Sequence, residues 1–173
     1  MVGYSKEAAM ALTVITETRQ YLTFKLADEV FAVDVEKVRE ILELTTITKV
    51  PQTPDYMRGV INLRGSVVPV MDMHLKFGMP PAERTVNTCI VVVEVNLEGE
   101  TIVLGALADS VQEVVELEAE QIEPAPKIGV GITTDFIVGM GKHDGQFIII
   151  LNIDRAFSNA ELELAGEVMK EAA

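Results

Sequence analysis

The chain is short of basic residues, of imidazole and thiol, and of long apolar runs. Lys and Arg number 14 against 27 acids, a formal charge of −13. A phosphate backbone or an anionic leaflet would be repelled, so nucleic-acid binding and polybasic membrane docking are poor starting readings. A single cysteine, Cys89, excludes an internal disulfide and is compatible with a reducing compartment. No stretch approaches the ~18 consecutive apolar residues of a membrane-spanning helix. Ala8 to Ile15 is the one signal-peptide candidate, but Glu7 cancels Lys6, and Thr16-Glu17-Thr18-Arg19 is a poor cleavage site. Residues 1–19 are therefore expected to be a mobile leader or short helix, and the cytoplasm is the default location.

The shortage extends to catalytic motifs. Gly139-Met140-Gly141-Lys142 suggests a phosphate loop, but Phe136 stands where the first glycine is required and His143 where Ser or Thr is required. The dinucleotide pattern fails at Asp144, and a hairpin turn explains these glycines better. His74 and His143 are far apart in sequence and neither has a cysteine or second histidine nearby, so no metal site is expected. Cys89 lies in a dense apolar run and reads as a small buried hydrophobe. None of the four serines sits in a nucleophile elbow. Acids are abundant enough for a carboxylate pair, yet nothing singles one out. The expectation is no enzyme and no cofactor.

What is present is β-branched. Val and Ile number 37 of 173 residues and Thr adds 13, which favours pleated, half-buried strands. Residues 20–27 alternate Leu22, Phe24 and Leu26 with Tyr21, Thr23 and Lys25, a strand with one wet face. A second strand covers 30–35. Val35, Val38, Ile41 and Leu42 then fall at helical spacing, predicting a two-turn amphipathic helix. Pro51 and Pro54 bracket an irregular link, and residues 56–59 read as a turn. Strands at 60–64 and 66–71 form a hairpin about Arg64-Gly65, with Pro69 marking an edge or a bulge. Residues 78–84 are the best linker. Strands resume at 88–96, 101–108 and 110–117, and a last pair at 136–140 and 146–153 turns at Asp144-Gly145. A helix follows from Asp154 as N-cap. No fixed-period repeat is evident. Nine or ten short strands suit two small barrels better than any βαβ scheme. Charge is uneven: Thr85 to Pro126 holds nine acids and no base. That pattern fits a solvated strand face, or a surface meeting an apolar or basic partner.

Particular words within this order resemble the CheW family of chemotaxis coupling proteins. They are Gln20-Tyr21-Leu22-Thr23-Phe24, Val38-Arg39-Glu40-Ile41, Thr53-Pro54, the run from Arg58 to Asp72 (RGVINLRGSVVPVMD), Gly105 to Val114, and Ile122 to Pro126. The 58–72 stretch is the specific part. The resemblance implies a mainly β fold of two interlocked SH3-like five-stranded barrels with a short internal helix and a C-terminal helix. It places the CheW-like domain at 20–157, with a subdomain boundary near 73–87 and a terminal helix at 158–173. It implies a non-enzymatic adaptor, recruited to membrane receptor arrays, that joins chemoreceptor cytoplasmic tips to the regulatory domain of the histidine kinase CheA. No kinase core or receiver domain follows within the chain, so a stand-alone adaptor is expected. Val38, Glu40, Gly59 and Arg64 are the receptor-binding candidates. Spacing alone reads Val38 as core and Gly59 as a turn glycine. For the kinase, Val111 and Val114 are either core or an apolar patch. A small acidic β-barrel that binds a ligand, or an enzyme with a carboxylate site, is the alternative.

Overall fold

The computed structural model describes residues 18–81, 83–124 and 136–171. The expected leader up to residue 17 and the Ala125-Pro126 pair lie outside them. Eleven strands run in the order β1 (Thr18–Leu26), β2 (Glu29–Asp34), β3 (Val38–Glu43), β4 (Met57–Leu63), β5 (Ser66–Asp72), β6 (Cys89–Leu97), β7 (Glu100–Ala108), β8 (Ser110–Glu118), β9 (Ile122–Glu123), β10 (Ile137–His143) and β11 (Gln146–Leu151). Among the described residues three helices accompany them: α1 (Met73–Lys76), α2 (Ile153–Ala156) and α3 (Asn159–Glu171).

Two curled sheets result, one in the order β8-β1-β2-β11-β10-β9 and the other β3-β6-β7-β5-β4. Each encloses a small core. Tyr21, Ala32, Val115, Leu117, Ile148 and Ile150 fill the six-stranded barrel, and Ile61, Val68, Val70, Ile90, Val92 and Leu107 fill the five-stranded one. A third and larger core lies between them, where Leu22, Phe24, Leu26, Phe31 and Val33 meet Val91, Val93, Val95 and Leu104. Strands shared between cores are apolar on both faces, so β6 reads as the nearly unbroken run CIVVV. The same geometry corrects the reading of β1. It has no wet face, because Tyr21 enters its barrel and Thr23 is 2% exposed. The Thr23 hydroxyl donates to the Glu113 carbonyl and accepts from the Glu113 N–H. That bond spans the point where the β1–β8 register slips.

The two halves of the chain match. Gly59 and Gly139, Gly65 and Gly145, and Met73 and Ile153 are each 80 positions apart and occupy the same places in a bulged strand, a tight turn and a short helix. Both hairpins slip register before the first glycine, at Met57/Gly59 and at Ile137/Gly139. A repeat is present, contrary to the sequence reading. What recurs is backbone requirement (bulge, turn, helix start) and not side-chain identity, so the letters conceal it. Each half lends its first hairpin to the other's barrel. β1 and β2 pair with strands of the second half, whereas β6 and β7 pair with strands of the first. The two parallel contacts, β5 with β7 and β11 with β2, mark where one half's hairpin meets the other half's strands. Segment 73–87 therefore does not divide the barrels; it links β5 to β6 inside one sheet.

Three local expectations are corrected. Residues 38–43 are a strand, not a helix: only Val35–Lys37 turns, as one 3-10 turn capped by Asp34, and then burial alternates with period two. The helical spacing arose because that turn brings Val35 to the same side as Val38. Residues 57–59 belong to β4 and are not a turn. Asp154 caps nothing. Asn152 precedes α2, the helical run is interrupted at the extended Phe157, and α3 starts with Ser158 and Glu161 bonded reciprocally as a capping box. Pro69 lies in an interior strand, just ahead of the Val70 to Asp72 stretch that pairs with β7, so its missing N–H breaks no bond of that ladder.

Candidate functional site

The β4–β5 hairpin turns on Arg64 (φ 52°) and Gly65 (φ 86°). Two successive left-handed residues give the hairpin turn whose twist matches its strands. The Asn62 side chain accepts from the Gly65 N–H at 2.9 Å and secures the turn. From this tip the Arg64 guanidinium reaches Glu40 on β3, with Nη1 to Oε2 at 2.7 Å and Nη2 to Oε1 at 3.1 Å. The two expected groove residues thus touch in a bidentate pair. Arg64 is 76% exposed and Glu40 only 21%. The carboxylate pushes the guanidinium pKa further up, so Arg64 stays charged.

β3 and β4 are the two outer strands of the five-stranded sheet. The Arg64–Glu40 pair ties β3 to the β4–β5 turn, an isolated bridge pairs Thr48, beyond β3, with Val60 of β4, and the two contacts close the barrel. Gly59 serves that bridge. It is buried at φ 143°, and a Cβ there would run into the Thr48 carbonyl oxygen. Its bare face is therefore occupied by the chain itself. Val38 is half-buried against the central core, and the β3 register slips between it and Glu40.

Beside the Arg64–Glu40 pair opens a groove of about 630 Å³, lined by Arg39, Leu63, Val103 and Met169 among others. Arg39 is held by Glu94 at 3.0 Å. Met169 comes from α3, a contributor that the 58–72 words do not announce. α3 is anchored by Lys76, whose Nζ lies 2.6 Å from Glu161 and over the rings of Tyr56 and Phe157. Burial works to raise the Glu161 pKa, but the Lys76 ammonium and Ser158 outweigh it and hold the carboxyl below its ordinary value. Burial and the Glu161 carboxylate push the Tyr56 phenol up to about 12.

The two kinase-facing candidates diverge on β8. Val111 is half-buried against the central core, whereas Val114 is 51% exposed. His74 is not on a loop. It sits on α1, 7% exposed, with Nε2 3.0 Å from Asp109 and Nδ1 3.2 Å from the Pro80 carbonyl. It ties α1 to the β7–β8 junction, and Asp109 in turn accepts from the Ala27 N–H of the β1–β2 turn. Burial pushes the Cys89 thiol up, as suits a core residue. Among the described residues no group of three or more His, Cys, Asp or Glu is placed to hold a metal ion, and no helix is long and apolar enough to cross a membrane.

Comparison with known proteins bears on most of the chain. The CheW-like domain family matches residues 20–161. The chemotaxis protein CheW of Klebsiella aerogenes is 34% identical over 155 residues, covering 90% of this chain and 91% of that protein. A probable chemotaxis protein CheW of Rhizobium etli is 35% identical over 147 residues, covering 85% and 92%. The crystal structure of the scaffolding protein TtCheW from Thermoanaerobacter tengcongensis superposes with a TM-score of 0.72 at 34% identity, covering 81% of this chain and 88% of that one.

Proposed function

The chain belongs to the CheW-like domain family, and from that premise we propose that it is a non-enzymatic scaffold of chemotaxis signalling. In this reading it couples the cytoplasmic tips of chemoreceptors to the regulatory domain of the histidine kinase CheA, working in the cytoplasm at membrane receptor arrays. The observation that carries the reading is the family match across residues 20–161. The named relatives are chemotaxis proteins and the named structure is a scaffold.

The receptor face is assigned to the groove beside Glu40 and Arg64, with Val38 and Gly59 supporting it. Glu40 holds the guanidinium in one orientation, so an incoming helix meets a fixed cation at an apolar slot. Gly59 acts indirectly, by letting Thr48 close the barrel behind β4. The kinase face is assigned to β8, where Val114 is the exposed contact and Val111 the packing beneath it.

Co-sedimentation with a soluble chemoreceptor signalling fragment and with CheA tests the assignment. Arg64→Glu should cut receptor binding at least about tenfold and leave CheA binding nearly unchanged. Adding Glu40→Arg to it should recover part of the loss, since the swapped pair can still form. Unchanged receptor binding in the single variant would remove the groove from the receptor face.

A further inference from the structure

We propose that Met169, in the last turn of α3, is a wall of the receptor groove, and that the groove takes a helix presenting an apolar side chain beside a carboxylate. This rests on the assignment of the Glu40–Arg64 groove to the receptor.

Position comes first. Leu162, Ala165 and Val168 bury one face of α3 in the central core. Met169 follows Val168 by one residue, about 100° around the helix, and lines the same groove as Leu63, Arg64 and Val103. α3 is fixed firmly enough to serve as a wall, because Ser158 and Glu161 cap it and Lys76 grips Glu161. The family match ends at residue 161. The rest of α3, Met169 included, lies past that match.

Chemistry selects the occupant. A guanidinium has five N–H donors. Two of Arg64's bond to Glu40, and the others make no hydrogen bond among the described residues, on a side chain 76% exposed. An arginine already held by one carboxylate is oriented to receive a second acceptor, and a carboxylate fits its fork best. Arg39 also lines the rim, where Glu94 neutralises it at 3.0 Å. Leu63, Val103 and Met169 supply the apolar slot, and the unbranched thioether adapts to the side chain that enters it.

The test uses the full chain and a soluble signalling-tip fragment of a chemoreceptor from the same genome, measured by titration calorimetry. Met169→Asp should weaken binding at least tenfold, and Met169→Leu should stay within about twofold. Amide exchange at Leu162 and Ala165 reports in parallel whether α3 remains docked. In a scan of the receptor tip's carboxylates to Lys, one substitution should restore binding to the Arg64→Glu chain. If Arg64→Glu loses binding and Met169→Asp does not, the wall is overturned while the receptor assignment stands. Loss in Met169→Asp together with lost α3 protection overturns it as well, since helix stability then explains the effect. If no Lys scan position rescues Arg64→Glu, the carboxylate is overturned. If neither variant alters binding, the receptor assignment itself falls.

Discussion

Single residues decide the site, and not all of them were readable. Glu40 and Arg64 were singled out by the resemblance, and the structure joins them because Arg64 stands on a hairpin tip set by Gly65. Gly59 could not be understood that way: its reason is a carbonyl eleven positions earlier, at Thr48, brought close only by barrel closure. Val38 was read on the wrong element, because one 3-10 turn at Val35–Lys37 imitates helical spacing. The two glycines predict opposite outcomes. Gly59→Ala forces both a left-handed backbone and a clash with the Thr48 carbonyl, and should lower unfolding free energy by about 1–3 kcal/mol. Gly65→Asn meets open space in a conformation that asparagine tolerates, and should change it by no more than about 0.5 kcal/mol. Urea denaturation of both variants checks the contrast, and equal losses would contradict it.

Among the elements, strands were the legible part. Apolar alternation and glycine turns mark β1, β2 and the hairpins, and the β6 run announces burial on both faces. The helices were less so. α1 is a single turn, and the break at Phe157 has no glycine or proline to signal it. The fit of α3 depends on Lys76 meeting Glu161 across 85 positions, a pairing no local pattern contains. That pairing gives the fold a signed pH dependence. Glu161's folded pKa lies below 4.5, so its stabilisation is complete above that value and is lost as pH falls through the folded pKa. Tyr56 works in the other direction. Its folded pKa is raised to about 12, so its contribution is full below 10 and is lost as pH rises from there through about 12. Glu161→Gln should cost about 1 kcal/mol at neutral pH and flatten the acid limb of stability below pH 4.5. Thermal unfolding across pH 3–7 compares the two proteins, and parallel acid limbs would refute the assignment.

At the scale of the molecule, the two halves cannot be separated by sheet. Each barrel is completed by a hairpin from the other half, so the covalent link between halves is dispensable once folding is done. Arg84 lies exposed in that link, between β5 and β6. Tryptic cleavage after Arg84 should leave both fragments co-eluting with one cooperative thermal transition, while neither fragment refolds alone. Fragments that part on a sizing column would refute the exchange. Strand counting reached two small barrels, but their interlocking came only through the resemblance, because the halves share backbone requirements and few side chains. The central claim concerns coupling, and kinase rate tests it most directly. CheA autophosphorylation would be measured with receptor-bearing membranes, with and without this chain, and with its Arg64→Glu variant. The account predicts strong stimulation only when receptors, kinase and the unaltered chain are all present, and a loss of most of it in the variant. A kinase rate indifferent to the chain in the presence of receptors would contradict the scaffold reading.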